Sequence, residues 1–284
     1  QVTTLRLACN YLGYDLRKEI LDFNRSNSGV RIEVTDYSQY NTEEDYTAGL
    51  TKLNTEIISG NVPDLFIADE LPIEQYGAKG YLYDLYELID ADAELSREDF
   101  FPNILAAMET DGKLYSISPA FGVLSLVGSA EVLGEEMGWT LQELMEVVKA
   151  HPEAEYLLDP GTTSSSILQA MLVMNLGEYV DWTTGECSFD SQDFTDLLNF
   201  SAMFPETFDY SNYQGSTPAL VLGGKQLLTT YSATDFEGFQ MYEAMFGGEI
   251  AFKGYPSAER AGNVAAPSGS KLCISSRCQN KDAA

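Results

Sequence analysis

The sequence predicts an α/β protein with enough chain for two lobes. Three observations carry this. Apolar residues switch between a period of two and a period near 3.6 through residues 4–69. Capping and stop residues fall between those segments. The chain has 284 residues, 44% of them hydrophobic, enough to fill two cores.

Thr4 to Cys9 alternates, with Leu5, Leu7 and Cys9 on one face, as a half-buried strand does. From about Asp15, Leu16, Ile20 and Phe23 share a helical face, and Asn27-Ser28-Gly29 stops it. Val30, Ile32 and Val34 alternate with charged residues in a second strand. Thr42 and Asp45 read as a helix cap, followed by a stripe of Tyr46, Leu50, Leu53 and Ile57 that Gly60 ends. Pro63 precedes a third strand, Asp64–Asp69. This β-α-β-α-β order predicts a parallel sheet with helices on its faces.

Further along, Leu71–Gly77 and Tyr81–Ile89 read as short helical pieces, Ser96–Asp99 as a cap, and Gly112–Ser118 as extended chain. Thr140-Leu141-Gln142-Glu143 is a capping box opening a helix that runs to His151-Pro152. Ser165–Leu176 and Asp190–Met203 are amphipathic. Lys225–Tyr231, Glu249–Gly254 and Leu272–Ser275 are strand-like. Asn280–Ala284 reads as the first turn of a helix, so the natural protein is expected to continue. There is no internal repeat and no low-complexity segment.

Charge narrows the partners. Against 44 Asp and Glu stand 16 Lys and Arg, a formal net charge of −28. Such a surface repels nucleic acid and anionic membranes and favours a monomer. No apolar run reaches the roughly 18 residues needed to span a bilayer. The chain opens at Gln1 without a signal-peptide pattern, so any targeting segment is expected outside it. The four cysteines have no CxxC spacing, and Cys9 and Cys273 sit in apolar strands as small buried hydrophobes.

Motifs for chemistry are scarce. The one histidine, His151, precedes a proline at a helix end, where a surface or capping role fits better than a Ser-His-Asp or Cys-His site. HExxH, GxSxG, GxGxxG and phosphate-loop patterns are absent. Seven acids lie between Asp84 and Asp99, but without the glycine and spacing of a calcium loop they read as a solvated face. No cofactor, metal or catalytic residue is expected.

The placement of aromatics is more telling. Ligands of open parallel sheets bind beyond the carboxyl ends of the strands. Tyr11 and Tyr14 follow the first strand, Tyr37 and Tyr40 the second, and Asp69 and Glu70 the third. Flat rings beside carboxylates suit a sugar, whose C–H face stacks while its hydroxyls donate to an acid. Each tyrosine alone is as easily a core residue with a satisfied hydroxyl.

The stretch Ile57-Ile58-Ser59-Gly60-Asn61-Val62-Pro63-Asp64-Leu65-Phe66, followed by Tyr76–Leu85 (YGAKGYLYDL), resembles the family 1 extracellular solute-binding proteins of bacterial ABC importers. Gly112–Pro119 (GKLYSISP) is similar to that family's first lobe crossover, and Gly138-Trp139-Thr140 to a variant of its Thr-Trp helix region. Phe252–Pro256, Cys273–Ser276 and Asn280–Ala284 resemble the second crossover, the returning strand and the helix after it. The likeness is strongest at 50–120 and 245–284 and weak at 150–230.

The resemblance implies a maltose-binding-protein-like fold of the periplasmic-binding-protein type II kind: two α/β lobes joined by crossing hinge segments, with ligand in the cleft. It implies C-terminal helices and a third hinge segment that this sequence lacks. It places lobe one at 1–117 and 257–284 and lobe two at 118–256, with hinges near Ser116–Pro119 and Ile250–Tyr255. It implies an extracellular, cell-surface or periplasmic protein that closes on a small ligand, most simply a carbohydrate, and passes it to an ABC permease. Any membrane contact would be through a lipid anchor upstream. Relatives also take peptides, polyols, iron or polyamines. On this basis the ligand set is Tyr11, Tyr14, Tyr37, Tyr40 and Asp69 from lobe one, Phe121, Tyr231, Asp235 and Phe236 from lobe two, and Tyr255 at the hinge. Two rivals are a ligand-sensing or protein-interaction domain of a larger extracellular protein, and a secreted carbohydrate-active enzyme.

Overall fold

The structure is a computed structural model that describes residues 2–212 and 215–284. In chain order its elements are β1 (Thr3–Cys9), α1 (Tyr14–Ser26), β2 (Val30–Asp36), α2 (Ala48–Ser59), β3 (Leu65–Ile67), α3 (Ile73–Ala78), α4 (Tyr86–Ile89), α5 (Pro102–Met108), β4 (Glu109–Thr110), β5 (Lys113–Leu114) and β6 (Ala120–Ser129). There follow α6 (Ala130–Leu133), α7 (Leu141–Ala150), α8 (Ser164–Asn175), α9 (Gln192–Ser201), α10 (Thr217–Leu222), β7 (Leu228–Ala233), α11 (Phe236–Phe246), β8 (Ile250–Phe252), β9 (Val264–Ser268) and β10 (Leu272–Ile274). The chain divides into two compact units: Gln1–Phe121 with Pro267–Ala284, and Gly122–Ala266.

Unit 1 is built on a four-stranded sheet of order β10-β3-β1-β2. β1 runs parallel to β2, with Thr3 opposite Val30 and Cys9 opposite Asp36, and parallel to β3. β10 returns antiparallel to β3, pairing Cys273 with Phe66. Strand periodicity sorts the side chains into two cores, one on each face. Leu5, Leu7, Cys9, Leu65 and Ile67 pack with Ile20 of α1. Ala8, Phe66 and Ala68 pack with Leu53 and Ile57 of α2 and with Tyr76. The thiols of Cys9 and Cys273 are both buried and unbridged.

Helix α2 starts at Ala48, later than the Thr42 cap predicts. Residues 42–47 instead close on themselves. The Asp45 N–H donates to Thr42 Oγ1 at 3.0 Å, and the Thr47 N–H to Asp45 Oδ1 at 2.8 Å. Side chains of this kind compete with the helix for backbone groups. Tyr46, expected on the apolar stripe, therefore lies outside the helix and is exposed.

Unit 2 carries a sheet of order β7-β6-β8 in which β7 and β8 run antiparallel to β6, and β9 also pairs with β6. Helices α7, α8 and α9 bury Leu144, Ile167, Met171, Leu197 and Phe200 against Leu126, Trp139 and Leu228. The Thr140–Glu143 capping box is present, with the Thr140 N–H donating to Glu143 Oε2 at 2.8 Å. The indole of Trp139 donates to the Gly254 carbonyl at 2.8 Å. Gly138 has φ +78°, and a Cβ there would lie 2.0 Å from the Arg260 carbonyl oxygen, so only glycine fits.

The chain passes between the units at Phe121/Gly122 and Ala266/Pro267, where the sequence reading put 117/118 and 256/257. The second expected hinge, Ile250–Tyr255, is part of unit 2. β8 pairs with β6 there, and the following loop folds back on the same unit. The Tyr255 N–H donates to Gly262 O at 2.9 Å and the Ser257 N–H to Trp139 O at 3.1 Å. Asn263 accepts from Ser125 Oγ at 2.5 Å. The passage itself lies in β9, which the sequence pattern hides because it contains Pro267.

Candidate functional site

The parallel strands of unit 1 end on one edge, and three packing contacts tie that edge together. The side chain of Asn10, just past β1, donates to Glu70 Oε2, just past β3, at 3.2 Å. Asp69 accepts the Lys271 N–H at 2.6 Å, fastening the end of β3 to the start of β10. At Gly49, in the first turn of α2, a Cβ would lie 2.1 Å from Tyr37 O and 2.6 Å from Asn10 Oδ1. The start of α2 therefore lies directly on the segments that follow β1 and β2.

The predicted residues divide on this edge. Tyr11 and Tyr14 are 73% and 79% exposed. Tyr40 is partly exposed, its ring 5.8 Å from that of Tyr37 and 4.9 Å from the Lys52 ammonium. Asp69 is exposed. Tyr37 is not available in the same way. Its ring is buried, and its hydroxyl donates to Glu56 Oε2 at 2.6 Å. Burial, and then the Glu56 carboxylate, push this phenol well above the usual tyrosine range. Tyr37 is a core residue beneath the edge. Two groups join the edge beyond the predicted set. Glu70 adds a second carboxylate, signalled by its place beside Asp69 at a strand end. Tyr46 is 73% exposed three residues before Gly49, and its helical spacing in the sequence disguised it.

The residues expected from the second lobe fare differently. Phe121 belongs to unit 1 and is half-buried, its ring edge-on to Phe101 at 5.0 Å. Tyr231 is buried in unit 2 between Tyr242 at 4.6 Å and Phe252 at 5.0 Å. Tyr255 is also buried, inside the helical core. Both correct the ligand-facing role given to them: they stand inside an antiparallel, helix-covered layer where a strand end is not an open edge. Asp235 is exposed and caps α11, accepting the Gly238 N–H at 2.8 Å. Phe236, at the start of α11, is 85% exposed.

Other features have structural explanations. A cavity of about 700 Å³ opens in unit 2 among α7, α8, α9 and residues 256–258, lined by Met145, Met171, Leu197 and Phe200. None of the predicted site residues lines it. His151 ends α7 with Nδ1 at 3.0 Å from Glu153 Oε1. Acids of the 84–99 run serve local structure. Asp84 accepts from the Tyr86 and Leu114 N–H groups, Asp90 pairs with Arg97 at 2.5 Å, and Asp92 accepts from the Glu94 and Leu95 N–H groups. Among the described residues no helix is long and apolar enough to cross a membrane.

The fold has counterparts in known proteins. The family described as bacterial extracellular solute-binding protein matches residues 20–284. No curated protein matches the sequence. Among solved structures, the sugar-binding protein MalE of Xanthomonas citri superposes with a TM-score of 0.65 at 17% identity, over 99% of this chain and 73% of that one. A family 1 extracellular solute-binding protein of Alicyclobacillus acidocaldarius gives 0.61 at 16% identity, over 99% and 72%. A solute-binding protein of an ABC transporter from Thermotoga lettingae gives 0.53 at 16% identity, over 99% and 75%. The fold is thus the maltose-binding-protein-like, type II arrangement, and the chain belongs to the family of bacterial extracellular solute-binding proteins.

Proposed function

We propose that this protein captures a sugar or oligosaccharide outside the cell by closing its lobes on it, and delivers it to the permease of an ABC importer. It does so without chemistry on the ligand, as a monomer, held at the cell surface by an upstream lipid anchor or free in a periplasm. The ligand sits at the carboxyl edge of unit 1. The observation that carries this reading is the edge itself: exposed Tyr11 and Tyr14 follow β1, exposed Tyr40 follows β2, and the exposed carboxylates of Asp69 and Glu70 follow β3, all three strands running parallel. Rings of this kind offer an apolar face to a pyranose, and carboxylates accept its hydroxyl protons. Structures of the same fold lend support, one bound with α-D-tagatose and another with D-mannitol.

A thermal-shift screen against mono- and oligosaccharides, polyamines and metal salts tests the reading. Ligand binding to the folded state alone stabilises by about 2.7 kcal/mol at a hundredfold excess over Kd. A rise in Tm with one class of carbohydrate is expected. A rise with polyamines or metal salts and with no carbohydrate would replace the sugar by a cation.

A further inference from the structure

We propose that the cavity among α7, α8 and α9 of unit 2 is a further binding site, for a molecule with an apolar body and a cationic end, such as a hydrophobic amine. It is independent of the sugar edge in unit 1, because every wall of the cavity belongs to unit 2. Its volume of about 700 Å³ falls in the range of sites that hold small organic ligands.

The two ends of the cavity differ, and the packing shows which groups share an end. Helices α8 and α9 run antiparallel. The Ser164 N–H, at the start of α8, donates to Pro205 O, beyond the end of α9, at 2.9 Å. The Tyr179 ring, past the end of α8, lies edge-on to Phe194 in the first turn of α9 at 5.3 Å. Residues 256–258 close this second end. Asn175 Nδ2 donates to Pro256 O at 2.8 Å and the Ala258 N–H to Glu178 Oε1 at 2.7 Å. The Ser257 N–H donates to Trp139 O, just before α7, at 3.1 Å, so the start of α7 stands at the same end.

That end is acidic. Glu178, Asp193 and Asp196 line it, and all three are exposed. Burial, and then the charges of Glu178 and Asp193, push the Tyr179 phenol up, as two carboxylates close to one ring must. Carboxylates around an aromatic ring attract an ammonium group.

Away from that end the lining turns apolar, with Met145, Met171, Phe200 and Met203. Methionine is unbranched and polarizable, so it moulds to apolar shapes of many kinds. Lys149 is the one base among the described residues of the wall. It sits in the last turn of α7, about 13 Å along the helix from the Thr140 cap, well away from the acids. An anionic end placed among Glu178, Asp193 and Asp196 would be repelled, and a cationic one is drawn in.

Isothermal titration with 4-phenylbutylamine, 4-phenylbutanol and 4-phenylbutanoate tests this, since the three share one apolar body and differ in the charge at its end. The amine is expected to bind about tenfold tighter than the alcohol or more, and the carboxylate weakest. Asp193→Asn is expected to weaken the amine about fivefold and leave the alcohol unchanged. Met203→Gln, at a half-exposed side chain, is expected to weaken amine and alcohol alike, by about threefold. Glu43→Gln removes an exposed acid of unit 1 and controls for the general pull of a net charge of −28 on any cation; it is expected to change nothing. No binding by the amine, or a carboxylate that binds as tightly, overturns the proposal. Amine affinity unchanged in Asp193→Asn or in Met203→Gln, or lowered as much in Glu43→Gln, overturns its placement in this cavity.

Discussion

Unit 1 and unit 2 both combine a sheet with helices, yet most of the tyrosines expected at the ligand have opposite fates in the two. In unit 1, β1, β2 and β3 run parallel, so their carboxyl ends share one edge, and Tyr11 and Tyr14 past β1 and Tyr40 past β2 reach water while Tyr37 is buried beneath them. In unit 2, β7 and β8 run antiparallel to β6, and successive strand ends alternate between edges. Tyr231, within β7, and Tyr255, just after β8, are packed into cores, whereas Phe236, past the end of β7, is exposed. The strand-end rule for binding sites is a consequence of parallel connectivity and does not carry over to an antiparallel layer.

Substitutions at these tyrosines would break or sharpen the contrast most. Tyr231→Ala and Tyr255→Ala remove buried rings and should each cost about 3 kcal/mol or more in urea unfolding. Tyr11→Ala and Tyr14→Ala should change stability by less than about 0.5 kcal/mol. Equal losses in both pairs would erase the distinction between core and edge.

Gly49→Ala tests the packing that assembles the edge. The atom its Cβ meets is the backbone oxygen of Tyr37, which no rotamer can move aside. Overpacking of this sort costs about 1–3 kcal/mol. It should lower Tm and ligand affinity together, and an unchanged Tm would show that α2 does not bear on Tyr37 and Asn10. In unit 2, Thr140→Ala deletes a helix cap and should cost about 1 kcal/mol, with no effect on sugar binding if the edge of unit 1 carries recognition.

The legible parts of the sequence follow the same division. Unit 1's β-α-β-α-β order could be read because its strands are short, capped and separated by strongly periodic helices. Leu5, Leu7 and Cys9 fall on one face as the alternation requires. β6 escaped notice because Ser125 to Gly128 are buried on both faces, and a doubly covered strand shows no alternation. Tyr46 was misread because i, i+4 spacing cannot distinguish the first turn of a helix from the loop that precedes it. The burial of Tyr231 and Tyr255 depends on which strands pair, a long-range fact that local pattern does not contain.

The smallest predicted effect concerns the thiols. Burial, followed by the charge of Asp36, raises the Cys9 thiol to about 12, and burial likewise raises Cys273 and Cys278. A raised pKa keeps a thiol protonated and unreactive at pH 8. Of the four cysteines only the exposed Cys187 should react quickly with a thiol reagent in the native protein, and all four after unfolding. Rapid reaction of a second thiol would show that one of these strands opens.

The central claim is that the carboxyl edge of unit 1 holds a carbohydrate. Its most direct test is isothermal titration of the sugar found by thermal shift into wild type, Tyr11→Ala, Tyr40→Ala and Asp69→Ala, with Phe236→Ala measured alongside. Losses of about fivefold or more in each of the first three variants, with native Tm retained in Tyr11→Ala, are the predicted result. Affinity unchanged in all three would contradict the account and move recognition off this edge.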